Sequence, residues 1–338
     1  MNIELVLKIV RASRANDDRS FSAAVRELIR LEKKQGHQNV AEQLQRALSL
    51  RTPERSDQPR RDVNLAVPRS KGDGSTLIDV RTPSKALDDM VLRDETAAKI
   101  IRFLQECTKR ETLGRYGLSP KLKLLFFGPP GNGKTLAAEV IASELQLPLF
   151  YVRFDGLVGS YLGETATNLR KVFEFAQSGL GILFFDEFDA IGKKRNDPND
   201  VGELKRVVNT FLQLLDCYTG QSPIIAATNH EDILDYALWR RFDDSIFFPQ
   251  PNETELQRYV RSRIAGFRVE GFTPDEAAKW MLGCSFAMVQ RVITDAMKTM
   301  VLTGEGVISR GMLKDALDRS RSSEMHKLER MSESNIPR

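Results

Sequence analysis

Apolar and polar positions follow a helical period over the first fifty residues. Ile3, Leu5, Val6, Ile9 and Val10 form one stripe. Phe21, Ala24, Val25, Leu28, Ile29 and Leu31 form a second after the capping Ser20, and Val40, Leu44, Ala47, Leu48 and Leu50 form a third. Gly36 tolerates the left-handed conformation in which helices often end, which places the stop of the second helix. The pattern predicts an N-terminal helical bundle of three helices over residues 1–50, small enough to be marginally stable by itself. Between 51 and 76 the period disappears, and Pro53, Pro59, Pro68, Gly72 and Gly74 stand among charges. That composition predicts a flexible linker.

From Leu77 short apolar runs alternate with helical stretches. The strand candidates are Leu122 to Phe127, Leu149 to Phe154, Gly181 to Phe185, Pro223 to Ala227 and Ser245 to Phe248. Near-continuous apolar strands separated by helices predict a parallel sheet covered on both faces. Residues 77–250 are therefore expected to form an α/β domain built on a doubly wound, five-stranded parallel sheet. After Pro251 no strong strand appears. Thr273-Pro274-Asp275-Glu276 opens a helix, with Thr273 as cap and Pro274 in the first turn. Helices around Ala277 to Leu282, Phe286 to Leu302 and Arg310 to Ser320 predict a small α-helical lid over residues 251–320. The polar tail, 321–338, is expected to fray.

Composition narrows this picture. The chain has 338 residues, 41% hydrophobic and 28% charged, which suffices for a sizeable core. No run approaches the ~18 apolar residues of a membrane-spanning helix. Glu4 and Lys8 interrupt the place where a signal peptide would be apolar. A cytoplasmic location without membrane contact is the expectation. Cys107, Cys217 and Cys284 are isolated and odd in number, which argues against a disulfide framework or a zinc site. His37, His230 and His326 include no pair at i, i+4, so a histidine-ligated hydrolase is not indicated. Fifty basic and 46 acidic residues leave a net charge of +4. The richest basic stretches, Arg51 to Arg81 and Lys193 to Arg195, fall in the linker and a loop, and so argue against a nucleic-acid partner.

The chemistry begins directly after the first predicted strand. Gly128-Pro129-Pro130-Gly131-Asn132-Gly133-Lys134-Thr135 matches the G-x-x-x-x-G-K-[ST] phosphate loop, with Leu136 opening the following helix. Its glycines let backbone N–H groups converge on phosphate oxygens, and the helix N-terminus adds positive potential. Lys134 is expected on the β- and γ-phosphates, and the Thr135 hydroxyl on Mg²⁺. Fifty residues on, Ile182-Leu183-Phe184-Phe185 runs into Asp186 and Glu187. Carboxylates at the C-terminal end of a parallel strand sit in the crevice where ligands bind. Asp186 is expected to hold Mg²⁺ and Glu187 to polarise the attacking water. The implied cofactors are ATP and Mg²⁺ on a P-loop NTPase fold.

Further segments carry a family likeness. Phe188-Asp189-Ala190-Ile191-Gly192, the run Arg206 to Leu212, Ala226-Ala227-Thr228-Asn229 and the run Asp235 to Asp243 resemble the AAA branch of the AAA+ ATPases. The resemblance covers about Leu87 to Asp318, and is greatest to FtsH-like or katanin-like modules of single-ring ATPases without a fused protease. It implies that Asn229 is a sensor of the γ-phosphate. It also implies that Arg240 and Arg241, adjacent here as in the katanin-like group, reach a neighbouring subunit's nucleotide, with the dominant one left open. Leu87 to Leu92 takes the place of the element that encloses adenine, so Met90 and Val91 are the implied base contacts, although its usual glycine is absent. Cys284-Ser285-Phe286-Ala287 replaces the usual lid motif. Arg291 falls where some AAA+ proteins carry a second sensor, and is read instead as a surface charge. Tyr161, Leu162 and Gly163 align with the aromatic–hydrophobic–glycine pore loop, and Lys193 to Asp200 with the second pore loop.

The resemblance thus implies a homo-oligomeric ring, most simply a hexamer, that remodels or unfolds protein substrates and serves a separately encoded partner, with a subtilisin-like protease as one candidate. The N-terminal domain would recruit the substrate or partner. A DNA-associated ATPase of clamp-loader or transposition-regulator type, and a nucleotide-controlled scaffold, are the alternatives.

Overall fold

The computed structural model describes residues 67–70, 74–157, 164–178, 181–188, 200–230 and 236–333. All of them belong to one compact unit, Ala66–Arg338. The predicted three-helix domain at 1–50 and the linker as far as residue 66 lie outside the described residues. The end of that linker is laid against the unit. Arg69 and Thr76 form an antiparallel bridge, and the Arg69 carbonyl accepts from Lys171 Nζ at 2.8 Å.

Among the described residues, β1 (Ile78–Arg81), β2 (Lys123–Phe127), β3 (Leu149–Val152), β4 (Ile182–Phe185), β5 (Ile224–Thr228) and β6 (Asp244–Phe247) form one sheet. Their order is β1-β3-β4-β5-β2-β6. The last five are parallel, as the apolar runs predict. The expectation of a five-stranded sheet needs one correction: β1 adds a sixth, antiparallel strand along β3. Only Ile78 of its four residues is buried, with Asp79 and Val80 exposed, so it leaves no apolar run to read. The second predicted run, Leu149 to Phe154, stops at Val152, and Phe154–Leu157 turns into a short helix.

Pleating divides the apolar strands between two helical layers. Leu124, Phe126, Ile182, Phe184, Ile225 and Ala227 face a core shared with Ala137, Ala138 and Ile141. Those alanines belong to α3 (Lys134–Glu144), and Ile100 and Phe103 of α1 (Asp94–Thr108) join them; α2 (Arg110–Arg115) follows α1. The short helix at Phe154–Leu157 is α4. On the opposite face lie α5 (Glu164–Ser178) and α6 (Asp200–Asp216). There Phe211 meets the rings of Phe173, Phe185 and Phe188 at centroid distances of 5.6, 5.1 and 4.6 Å. That aromatic wedge fixes β4 immediately before its two acids.

The lid follows α7 (Tyr236–Trp239) and β6. It holds α8 (Glu253–Ile264), α9 (Pro274–Trp280), α10 (Phe286–Thr303) and α11 (Arg310–Glu333) around their own apolar core. The predicted cap is present: Thr273 Oγ1 accepts from Glu276 N at 3.2 Å, and Pro274 sits in the first turn. The lid also departs from expectation. It opens with α8, which has its own reciprocal cap between Asn252 and Glu255, and two-residue strands β7 (Val269–Glu270) and β8 (Ile308–Ser309) pair in parallel. The tail expected to fray from Arg321 continues α11 to Glu333. Arg319 and Arg321 anchor that helix to Asp295 and to the Trp280 carbonyl, and no glycine or proline interrupts the run after Gly311. No helix among the described residues is long and apolar enough to cross a membrane.

Candidate active site

β2 runs between β5 and β6 and delivers the chain into the phosphate loop. Two glycines there are enforced by space as well as conformation. Gly128 has φ +127°, and a Cβ on it would lie 2.4 Å from the Phe248 carbonyl oxygen. Gly131 has φ +76°, and its Cβ would lie 2.9 Å from Ser285 Oγ. Only glycine combines those φ values with such approach. The loop carries the lid on its back, since Ala287 N donates to the Gly131 carbonyl at 3.0 Å. α3 starts at Lys134 with no side-chain cap on its first turn, so its N–H groups are available to an anion.

Lys134 is buried, 6% exposed, and its ammonium donates to the Gly128 and Pro129 carbonyls at 2.6 and 2.9 Å. Asn132 Nδ2 braces the same loop on the Pro129 carbonyl at 3.4 Å. Phosphate oxygens carry formal charge and form stronger hydrogen bonds to an ammonium than carbonyls do. The position is that of a cation ready to exchange loop carbonyls for phosphate.

β4 is buried along its whole length and ends at Asp186 and Glu187. Asp186 Oδ2 accepts from Thr135 Oγ1 at 2.8 Å and from the Tyr151 hydroxyl at 3.1 Å, while Oδ1 accepts from Glu187 N at 3.0 Å. Glu187 is exposed and adopts φ +49°, the left-handed region. A non-glycine residue held there stores roughly 1–3 kcal/mol, which is characteristic of functional turns. At the end of β5 the Thr228 hydroxyl accepts from His230 N at 3.1 Å, turning the chain so that Asn229 lines the same pocket.

That pocket has a volume of about 390 Å³ and is walled by the phosphate loop from Pro130 through Leu136, with Asp186, Glu187 and Asn229 opposite. Met90 and Val91 reach it from the segment before α1. Phe286 of the lid segment named above also lines it, with Tyr259, Arg263 and Gln290, and sequence reasoning missed those last three. They are held together: Tyr259 donates to Gln290 Oε1 at 3.2 Å, meets Phe286 edge-on at 5.0 Å, and carries the Arg263 guanidinium on its ring at 4.9 Å. An aromatic roof over a phosphate cradle suits a nucleotide, whose base stacks and whose phosphates are charged.

The donors also suit magnesium. Thr135 and Asp186 place two hard oxygens side by side at the phosphate end, and Mg²⁺ usually takes one or two protein oxygens and fills its shell from phosphate and water. Among the described residues no group of three or more His, Cys, Asp or Glu could cage a metal without such help. Tyr151 contributes no such ligand. Burial, and then the Asp186 charge and hydrogen bond, push its phenol up to about 12, so it remains a neutral donor.

Other predicted residues lie elsewhere. Arg240 and Arg241 follow α7 and do not line the pocket. Arg241 Nε pairs with Asp216 at 2.8 Å, and Arg240 is exposed. Arg291 is exposed on α10 outside the pocket wall. Tyr161, Leu162 and Gly163, and residues 193–199 of the second pore loop, lie outside the described residues.

Comparison with known proteins agrees with this geometry. Residues 124–250 match the model of the ATPase family associated with various cellular activities (AAA). The chain is 35% identical over 218 residues to the proteasome-activating nucleotidase of Sulfurisphaera tokodaii, covering 62% of this chain and 55% of that one. It is 32% identical over 244 residues to the ATP-dependent zinc metalloprotease FtsH of Mesomycoplasma conjunctivae, covering 70% of this chain and 32% of that one. The likeness extends further in the uncharacterized AAA family ATPase y4kL of Sinorhizobium fredii, 36% identical over 299 residues, with 88% of this chain and 89% of that one aligned. A match of that extent, with a phosphate loop and two acids meeting in one crevice, places the chain in the AAA family of ATPases.

Proposed function

We propose that this ATPase is Mg²⁺-dependent, assembles into a ring, and uses ATP hydrolysis to remodel or unfold polypeptides by threading them. The observation that carries the reading is the convergence of Lys134, Thr135, Asp186, Glu187 and Asn229 on one lid-covered pocket at the C-terminal ends of β2, β4 and β5. A scaffold that only binds nucleotide would use the cradle, but has no need of an exposed carboxylate held in strained backbone opposite it.

In this account Lys134 releases its carbonyls and takes up phosphate oxygens as nucleotide enters. Glu187 polarises the attacking water, and Asn229 orients that water and contacts the γ-phosphate. Magnesium, bound through Thr135 and Asp186, would neutralise charge on the β- and γ-phosphates. Arg240, exposed on the turn after α7, completes the site of a neighbouring copy, which makes the ring necessary for full turnover.

The names of two relatives, an ATP-dependent metalloprotease and a nucleotidase that activates proteasomes, support protein handling as the output. By that analogy this chain passes substrate to a protease, a subtilisin-like enzyme being the candidate, while residues 1–50 recruit substrate or partner. Tyr161, with Leu162 and Gly163, would grip the polypeptide, because an aromatic ring packs on varied side chains with little loss of rotamer freedom. In a fluorescence assay of substrate unfolding, Tyr161→Ala should retain basal ATP hydrolysis and stop unfolding, while Tyr161→Phe keeps most of it. Unimpaired unfolding by Tyr161→Ala would eliminate threading.

A further inference from the structure

The hydroxyl that reaches Asp186 from β3 belongs to no motif, and strand pleating explains how it arrives. Ile182, Phe184 and Asp186 share one face of β4 and its extension. Tyr151 pairs in register with Phe184, and Asp79 of β1 pairs with Tyr151. Arg81, two residues beyond Asp79, falls on the same face. Its guanidinium carbon lies 3.9 Å from the Tyr151 ring centroid, and its Nε is held by Asp79 at 2.9 Å. Phe184 meets the ring edge-on at 5.5 Å. The tyrosine is thus seated between a cation and a buried aromatic, with its hydroxyl on Asp186 Oδ2.

We propose that Tyr151, seated by Arg81, is a positioning residue that fixes the Asp186 carboxylate for the magnesium of bound ATP, an inference that rests on the magnesium reading above. A terminal carboxylate torsion is soft and broad, so a lone donor leaves it free to pivot. Here Oδ1 is held by Glu187 N, and Oδ2 by Thr135 and Tyr151 together. Thr135 is itself a candidate metal ligand, which leaves Tyr151 as the side-chain donor that serves orientation alone. Partners of this kind commonly raise metal affinity by ~10–100-fold. The guanidinium on the ring face adds to the effect by drawing on the π electrons and strengthening the O–H donor. β1 therefore has a task beyond closing the sheet edge: it brings the cation that seats the tyrosine.

The test is the affinity of the full-length chain for a fluorescent ATP analogue, N-methylanthraniloyl-ATP, titrated with free Mg²⁺ from EDTA upward. Tyr151→Phe keeps the ring and its packing and removes only the hydroxyl. It should bind the analogue like the wild type in EDTA and need about tenfold more Mg²⁺ to reach half of the magnesium-induced gain, the low end of that range. Arg81→Met should shift the midpoint the same way by less. Mn²⁺ retained on the ADP complex, read by electron paramagnetic resonance, should fall in parallel. An unchanged Mg²⁺ midpoint in Tyr151→Phe, with a magnesium-responsive wild type, overturns this assignment alone. Weaker binding in EDTA as well would mark Tyr151 as a packing residue and also overturns it. A wild type indifferent to Mg²⁺ removes the magnesium reading together with it.

Discussion

Glu187→Gln is expected to bind ATP as the wild type does and to turn it over about 10²–10⁴-fold more slowly, the usual contribution of a positioned general base. The carboxylate is exposed, follows a strand that is wholly buried, and lies in the left-handed region at φ +49°. The substitution keeps shape and backbone while removing the proton acceptor, so folding and nucleotide affinity should be spared. Lys134→Ala should fail at the earlier step. It deletes a buried ammonium whose exchange from loop carbonyls to phosphate provides charge-assisted hydrogen bonds of roughly 1.5–3 kcal/mol each, a loss of ATP affinity visible by calorimetry. Single-turnover hydrolysis and equilibrium binding, measured side by side, separate the two outcomes. Normal turnover by Glu187→Gln would remove it as the base.

Arg240→Ala should lower turnover by about 10³-fold, within the ~10³–10⁵ attributed to arginine fingers, with Arg241→Ala costing far less. The asymmetry comes from the fold. Arg241 is engaged within its own chain by Asp216 at the end of α6, at 2.8 Å, and its backbone N–H closes the turn on the Leu238 carbonyl at 3.1 Å. Arg240, on the same turn, is the more exposed of the two. Trp239, the residue before it, packs edge-on against Phe127 at 4.8 Å. That turn is thereby pinned to the strand that enters the phosphate loop, and in the proposed ring it would link one copy's nucleotide to its neighbour's. Mixing Arg240→Ala chains with Lys134→Ala chains should restore part of the turnover, because some interfaces then pair an intact loop with an intact arginine. Equal losses for the two arginines, or no restoration on mixing, would contradict the assignment.

Residues that combine an apolar run with special backbone chemistry were legible in the sequence. Lys123 to Thr135 encodes strand, phosphate loop and helix in one stretch, and β4 encodes both its burial and its terminal acids. What escaped depends on contacts between distant segments. β1 buries Ile78 alone, and its Asp79 and Arg81 look like linker charges until pairing with β3 aligns them with Tyr151. Tyr259, Arg263 and Gln290 acquire a role only when the lid docks on Gly131. α8 did carry a signal: Asn252-Glu253-Thr254-Glu255 has capping-box spacing, and Leu256, Tyr259, Val260 and Ile264 are spaced as a buried stripe. Its many charges hid the stripe. α11 extends to Glu333 because Arg319 and Arg321 find partners on other lid elements, which tail composition alone does not reveal.

The central claim is that the ATPase cycle of this chain acts on polypeptide. The most direct measurement is steady-state ATP turnover by the purified full-length protein in the presence of a permanently unfolded protein, compared with the same preparation given double- or single-stranded DNA. Stimulation by the unfolded chain, abolished in Glu187→Gln, and none by DNA is the predicted result. Stimulation by DNA with indifference to unfolded protein would contradict the account.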